Sequence, residues 1–487
     1  MKSHSFKWVR RILLSITFAA LSTISFEVSA DEMAAEVVPP SNYHLFKAIR
    51  TNNVAEVERQ LAAGANHSLT EPDRFSVVHA AAMQGNIQIM QLLLDHGADI
   101  DAQTEFGETT PLMLALNNGN RDMAILLIEK GADISRPNRF SHTPLLLAVK
   151  MSDISLILLL LEHGAKADTT GHFLGQYECD QGWIRDEGHG YFSAARDARC
   201  HVNPSYIRDS GNALTLAANA GNLEIVRLLL RHGAKAYHGE PVPPIVSAVA
   251  RGRLEIVKEL LAHGENADAL FYDGLTPLHL AAAHGNVPMA ELLVAHCASI
   301  DSSRKEPYLS PMFLQSFTID GVKVPISLGT TPLHLAIVNG QLEMVRWLLA
   351  HGARLEGRIK GEHGAKYSVL DLAIGPQVVA YYQSLTSVNT HWSPNHDTPP
   401  AISSSTRREI AKILLASGAT VGREKRFGGV TTLHMAAKLG DPELIGLLLD
   451  HGAEINARDM AGMSPLQYAD KAGNSAAAEM LRQRGAM

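Results

Sequence analysis

At 487 residues, with 46% apolar and 19% charged side chains, the chain has ample material for a hydrophobic core and a formal charge of only −7. Residues 1–30 carry +3 and the remainder −10, and no run of Lys or Arg interrupts the acidic body. That balance argues against nucleic acid, whose phosphates need clustered cations. Length alone would suggest several globular domains, but an internal period overrides it.

The N-terminus reads as a leader. Met1 to Arg11 is basic, Ile12 to Phe26 is apolar, and Val28-Ser29-Ala30 precedes Asp31. This is the plan of a secretory signal peptide cut near Ala30/Asp31, and its apolar stretch is short for a spanning helix. The expected organisation is a signal peptide over 1–30, a short linker over 31–41 and a repeat array over 42–487. The mature protein is expected in a bacterial periplasm or secreted, with no membrane attachment after cleavage.

From there a phrase recurs to a beat. His96-Gly97-Ala98, His163-Gly164-Ala165, His232-Gly233-Ala234, His351-Gly352-Ala353 and His451-Gly452-Ala453 each close a leucine-rich run. Counting variants, the glycine position steps by 33, 34, 33, 69, 31, 33, 55, 66, 34 and 33 residues. A second phrase opens many of the units, complete at Thr276–Ala281 and Thr331–Ala336 and nearly so at Thr110, Thr143, Thr432 and Ser464. Thr before Pro starts a helix, and Gly285 ends it. Leu342, Val345, Leu348 and Leu349 then put one apolar face on a second helix. Such short helices are marginal alone and must stack on their neighbours.

Thr-Pro-Leu-His-x-Ala at this period resembles the ankyrin repeat. The fold expected is an α-solenoid of about eleven stacked helix–turn–helix repeats with short β-turn fingers. The recurring histidines His79, His279, His334 and His434 are read as ties between adjacent repeats. The sixth unit, Pro241 to Asp268, has lost the phrase, and Asp371 replaces histidine in the ninth.

Three long steps mark insertions, at about 168–208, 302–327 and 378–405. The first holds Phe173, Tyr177, Trp183, Tyr191, Phe192 and Tyr206 together with Cys179 and Cys200. In an oxidising compartment these two cysteines are expected to form a disulfide, and the Cys and His spacing lacks the tight pairs of a zinc site. The second insertion holds Asp320-Gly321 between β-branched runs, which predicts a hairpin at 317–324 projecting from the solenoid edge. The third, rich in Thr, Ser, Asn and Pro, reads as a long loop. Cys297 stands where other units have the capping glycine: a free thiol at a helix end, or an end capped differently.

The resemblance implies a non-enzymatic protein-binding scaffold, acting as a monomer on another protein and needing no cofactor or metal. An inhibitor or immunity protein is the alternative. A hydrolytic enzyme, using Asp180, Asp186, Glu187, His189 and Asp197 of the first insertion, is a further one. Partner contacts are expected at finger and insertion aromatics: Phe106, Phe140, Trp183, Tyr191, Phe271, Tyr272 and Phe427.

Overall fold

The computed structural model describes residues 40–68, 70, 75–105, 107–139, 141–171, 176–179, 182–185, 200–202, 211–235, 243–270, 274–303, 317–319, 322–324, 329–356, 359–360, 366–374, 402–421 and 429–487. The segment expected to be a signal peptide, 1–30, lies outside them. Among the described residues are 22 helices in eleven consecutive pairs, so each expected repeat contributes two. The chain divides into two compact units, Met1–Ala132 and Asp133–Met487.

The first unit holds α1 (Pro40–Arg50) with α2 (Val54–Ala62), α3 (Val77–Gln84) with α4 (Ile87–Asp95), and α5 (Pro111–Asn117) with α6 (Arg121–Glu129). The second begins with α7 (Pro144–Met151) and α8 (Ile154–Glu162), α9 (Ala213–Ala220) and α10 (Leu223–Arg231), then α11 (Pro244–Ala250) and α12 (Leu254–Ala262). It continues through α13 (Pro277–His284) and α14 (Val287–Ala295), α15 (Pro332–Val338) and α16 (Leu342–Ala350), and α17 (Val369–Ile374) and α18 (Ser404–Ala416). It ends with α19 (Thr432–Leu439) and α20 (Pro442–Asp450), and α21 (Pro465–Lys471) and α22 (Ser475–Gln483). Two boundaries differ from expectation: α1 starts inside the expected linker, and α18 starts inside the expected third loop.

One grammar builds most of the pairs. Thr110 and Thr143 accept at 3.3 Å from the amides of Met113 and Leu146, filling donors that a helix start leaves open. The first helix of many repeats ends in a left-handed glycine, as at Gly285 with φ +70°. The second helix is capped by Asn86, Asp153, Asn222 or Asn286, each accepting an amide at 3.0–3.1 Å. At its far end the histidine of His-Gly-Ala turns back on its own helix. Nδ1 of His96, His163 and His351 bonds the carbonyl four residues earlier at 2.8–2.9 Å.

The core is the stripe between helices. Leu278, Leu280, Met289, Ala290 and Leu293 are all fully buried. So are the small residues Ala281, Ala282 and Ala283, which lets first helices of successive repeats in the second unit pack backbone to backbone. Truncating a buried leucine of this kind costs about 2–5 kcal/mol.

The insertions carry short ribbons. Thr170–Gly171 (β1) pairs with Gly211–Asn212 (β5) and closes the neck of the first insertion. Within it, Gln176–Cys179 (β2) lies between Gly182–Arg185 (β3) and Cys200–Val202 (β4) in an antiparallel sheet. Phe317–Ile319 (β6) pairs with Val322–Val324 (β7), which is the expected hairpin. It does not stand clear of the edge: β7 lies beside α13 of the seventh repeat. Ile359–Lys360 (β8) pairs with Lys366–Tyr367 (β9).

Candidate interaction surface

The phrase histidines are structural ties, and their bonds show why they recur. The amides of Ser76, Thr276, Thr331 and Thr431 donate to Nδ1 of His79, His279, His334 and His434 at 3.0–3.1 Å. An accepting Nδ1 leaves the proton on Nε2. That N–H donates to the next repeat: His79 to the Thr109 carbonyl at 2.9 Å, His279 to Thr330 at 3.1 Å, and His434 to Met463 at 3.0 Å. Each ring is fully buried. Burial drives the His279 pKa down to about 4, against a smaller upward pull from the bond to Thr330. Burial also lowers that of His434. Enclosed and bonded at both nitrogens, the rings of His79, His279 and His434 hold repeats together and have no free position for a ligand or a proton transfer.

Asp371 fills the same role with different chemistry. Its Oδ2 accepts from the Ser368 amide at 3.0 Å, and its Oδ1 accepts from the Thr432 hydroxyl of the tenth repeat at 2.8 Å. A carboxylate cannot donate, so the neighbouring repeat supplies the hydroxyl. In the last repeat Gln467 accepts from the Ser464 amide at 2.8 Å and so keeps the local half of the tie.

A second row of ties joins the turns between paired helices. Asn120 donates to the carbonyl of Ala82 at 2.9 Å, Gln341 to Ala283 at 3.1 Å, and Asn474 to Lys438 at 2.7 Å. Fingers are closed by their own backbone. Asn138 and Asp459 donate their amides to the carbonyls of His142 and Met463.

The sixth repeat departs from the scheme. Pro243, at the start of α11, offers no side-chain cap. The carboxyl of Glu265, further along the same repeat, accepts from the Ile245 amide instead. Burial pushes the Glu265 pKa up to about 7, and the Ile245 bond opposes this only in part. Its Oε1 is buried without a hydrogen-bond partner. Sequence reasoning missed this residue because it stands where other repeats carry the small Ala of His-Gly-Ala.

The aromatic candidates are placed as follows. Phe106, Phe140, Tyr191, Phe271, Tyr272 and Phe427 lie outside the described residues, as do Asp180, Asp186, Glu187, His189 and Asp197. Trp183 sits on β3, its backbone opposite Glu178, and its side chain is not among those described. The side chains of Cys179 and Cys200 are likewise outside the description, but β2 and β4 bring their backbones into direct register. Phe75, at the tip of the finger entering the second repeat, stacks on His79 with centroids 5.3 Å apart and so shields the tie. The exposed apolar side chains include Leu270, 64% exposed before the seventh repeat, and Met460, 82% exposed on the finger entering the last repeat. Cys297 is free and exposed, with φ +68°: the helix end keeps the left-handed cap even without glycine. No described helix is long and apolar enough to cross a membrane.

Paired helices tied through buried turn residues, with fingers on the outside, define a helical repeat protein. The model for ankyrin repeats matches residues 45–138, 97–171, 191–270, 214–306, 245–359 and 400–487, well over half of the sequence. The chain belongs to the ankyrin-repeat family, whose members are typically non-enzymatic modules that bind other proteins. It is similar to the human transient receptor potential cation channel subfamily A member 1, with 24% identity over 94% of this chain and 38% of that protein. It is also similar to human B-cell lymphoma 3 protein, 30% identical over 40% of this chain and 33% of that one. The nuclear factor NF-kappa-B p105 subunit of Gallus gallus is 26% identical over 32% of this chain and 16% of its own length. The chain thus spans well under half the length of each of these relatives.

Proposed function

We propose that this protein is a non-enzymatic scaffold that acts outside the cytoplasm, in a bacterial periplasm or after secretion, and binds one protein partner as a monomer. The observation that carries the reading is how the polar residues are used. The recurring Thr, His and Asn side chains of the described repeats are consumed in caps and inter-repeat ties, while apolar groups such as Leu270 and Met460 are left on the fingers. Exposed apolar groups on a rigid frame serve association. The N-terminal basic, apolar and small-residue sequence supports export. The register of Cys179 with Cys200 supports a disulfide in the first insertion, since directly opposed antiparallel residues have Cα atoms about 4.5–5.5 Å apart, within disulfide range.

Affinity capture from the periplasmic fraction tests the reading, comparing the full chain with a variant lacking 168–208. A single protein retained in stoichiometric amount by the full chain supports it. Failure to retain any protein, together with turnover in a hydrolase substrate screen, sinks it. Export is tested separately by the N-terminal sequence of the mature protein, expected to begin at Asp31.

A further inference from the structure

The turn between the helices of the sixth repeat departs from the internal pattern in its charge. The residue after the left-handed glycine, or after the residue standing in for it, is Asn53, Asn86, Asn120, Asp153, Asn222, Asn286, Gln341, Asp441 or Asn474 in other repeats. Most of these cap their own helix. In the sixth repeat the position is Arg253, which makes no cap bond to α12. Losing such a cap costs about 0.5–2 kcal/mol. The residue before the glycine is also arginine, Arg251, where Ala220 and His284 stand in the flanking repeats.

Both guanidiniums are held in place. Arg251 Nε donates to Asn219 Oδ1 of the fifth repeat at 3.1 Å. Arg253 packs directly on Gly221: its Nε and Cζ lie 2.6 and 2.8 Å from where a Cβ would stand, so the guanidinium rests against the turn of the fifth repeat. Beside them opens a depression of about 550 Å³, lined by Val249, Arg251, Arg253, His284 and Asn286. On this side the ring of His284 in the seventh repeat is bonded at one nitrogen only. Nδ1 of His284 bonds the Leu280 carbonyl at 2.8 Å, and its Nε2 is buried without a hydrogen-bond partner. Two positioned cations next to a groove in a mature chain of charge −10 are a local reversal of sign, and a planar guanidinium pairs with a carboxylate through two parallel hydrogen bonds.

We infer that this turn is a docking site for an acidic segment of the partner protein, whose carboxylates lie on Arg251 and Arg253 while its chain fills the adjoining depression. The inference rests on the scaffold reading and narrows the chemistry of the partner.

The test uses the full mature chain and fluorescein-labelled hexaglutamate, followed by anisotropy. Binding is expected in 50 mM NaCl, weakening about tenfold or more in Arg253→Glu and in 0.5 M NaCl. Arg346→Glu, on α16 and away from the turn, is expected to bind within about twofold of the parent, and circular dichroism checks that each variant is folded. Arg251→Gln, which keeps a donor toward Asn219 and loses the charge, provides a second reading independent of folding defects. No binding by the parent, equal binding by Arg253→Glu, or tighter binding to a labelled DNA oligonucleotide than to hexaglutamate would overturn the proposal. The captured partner separates the two readings: retention by Arg253→Glu with loss on deletion of 168–208 leaves the scaffold intact and removes this site.

Discussion

Replacing His279 by glutamine should alter both stability and its pH dependence, by amounts the seventh repeat lets one work out. Glutamine reproduces the local half of the tie, as Gln467 does with the Ser464 amide. It forfeits the donor to Thr330 at 3.1 Å, and an orphaned buried carbonyl costs about 1–3 kcal/mol. The sign of the pH effect follows from burial. The folded-state pKa is lowered from 6.5 to about 4, so the unfolded chain takes the proton first. Stability from the neutral ring is present above pH 6.5 and lost as the pH falls toward 4. At pH 5 that loss amounts to about 2 kcal/mol, and at pH 7 it is nearly nil. Urea unfolding followed at 222 nm, with hydrogen exchange of the amides in Pro277–His284, should therefore show the variant less stable at pH 7. The gap should shrink by about 2 kcal/mol at pH 5. An equal gap at both pH values would refute a neutral, donor-bearing His279.

Four further outcomes follow from the same geometry. Asp371→Ala removes acceptors from the Ser368 amide and the Thr432 hydroxyl and should destabilise by about 2–3 kcal/mol, with exchange rising in the ninth and tenth repeats. Cys297→Gly relieves a left-handed side chain, worth about 1–2 kcal/mol, at the expense of a more flexible unfolded chain; a net gain of about 0.5–1 kcal/mol in thermal or urea unfolding is expected. Glu265→Gln works in the opposite pH sense from His279. With the folded pKa raised to about 7, stability present below pH 4.5 is lost as the pH rises, so the variant's advantage should grow by about 2.5 kcal/mol between pH 5 and 8. Finally, alkylation of the denatured mature protein should label Cys297 alone before reduction and all three cysteines after it; three labels before reduction would exclude the disulfide.

The parts of the fold legible in the sequence were those that repeat. Thr276-Pro277 and Gly285 announce a helix start and stop by chemistry that acts within one turn, so eleven copies could be counted from side-chain identities. The ties of His279 and His434 were legible for the same reason. What escaped were solutions that join distant residues. Glu265 caps α11 from the far end of its repeat, and nothing local marks a glutamate for that task. The Asp371–Thr432 bond spans the third insertion, so the replacement of histidine read only as a departure. The strands of the first insertion are only three or four residues long, too short for their alternation to signal a sheet. The placement of β7 against α13 could not be read either, since a hairpin signal fixes register but not the surface it lies on. Of the candidate site, the sequence offered aromatic fingertips, whereas the arginine pair stands out only once the repeats are compared position by position.

The neck formed by β1 and β5 has a consequence for how this protein could be altered, by evolution or by design. Thr170 faces Asn212 and Gly171 faces Gly211, so the excursion leaves and rejoins the array at one point, where Asn212 already caps α9 through the Thr215 amide at 2.8 Å. Chain ends that close, about 5 Å apart, can be joined by a two-residue turn. The segment between them is therefore a cassette: it can be excised, lengthened or exchanged for a foreign loop without shifting the helices on either side, and specificity can change while the frame stays constant.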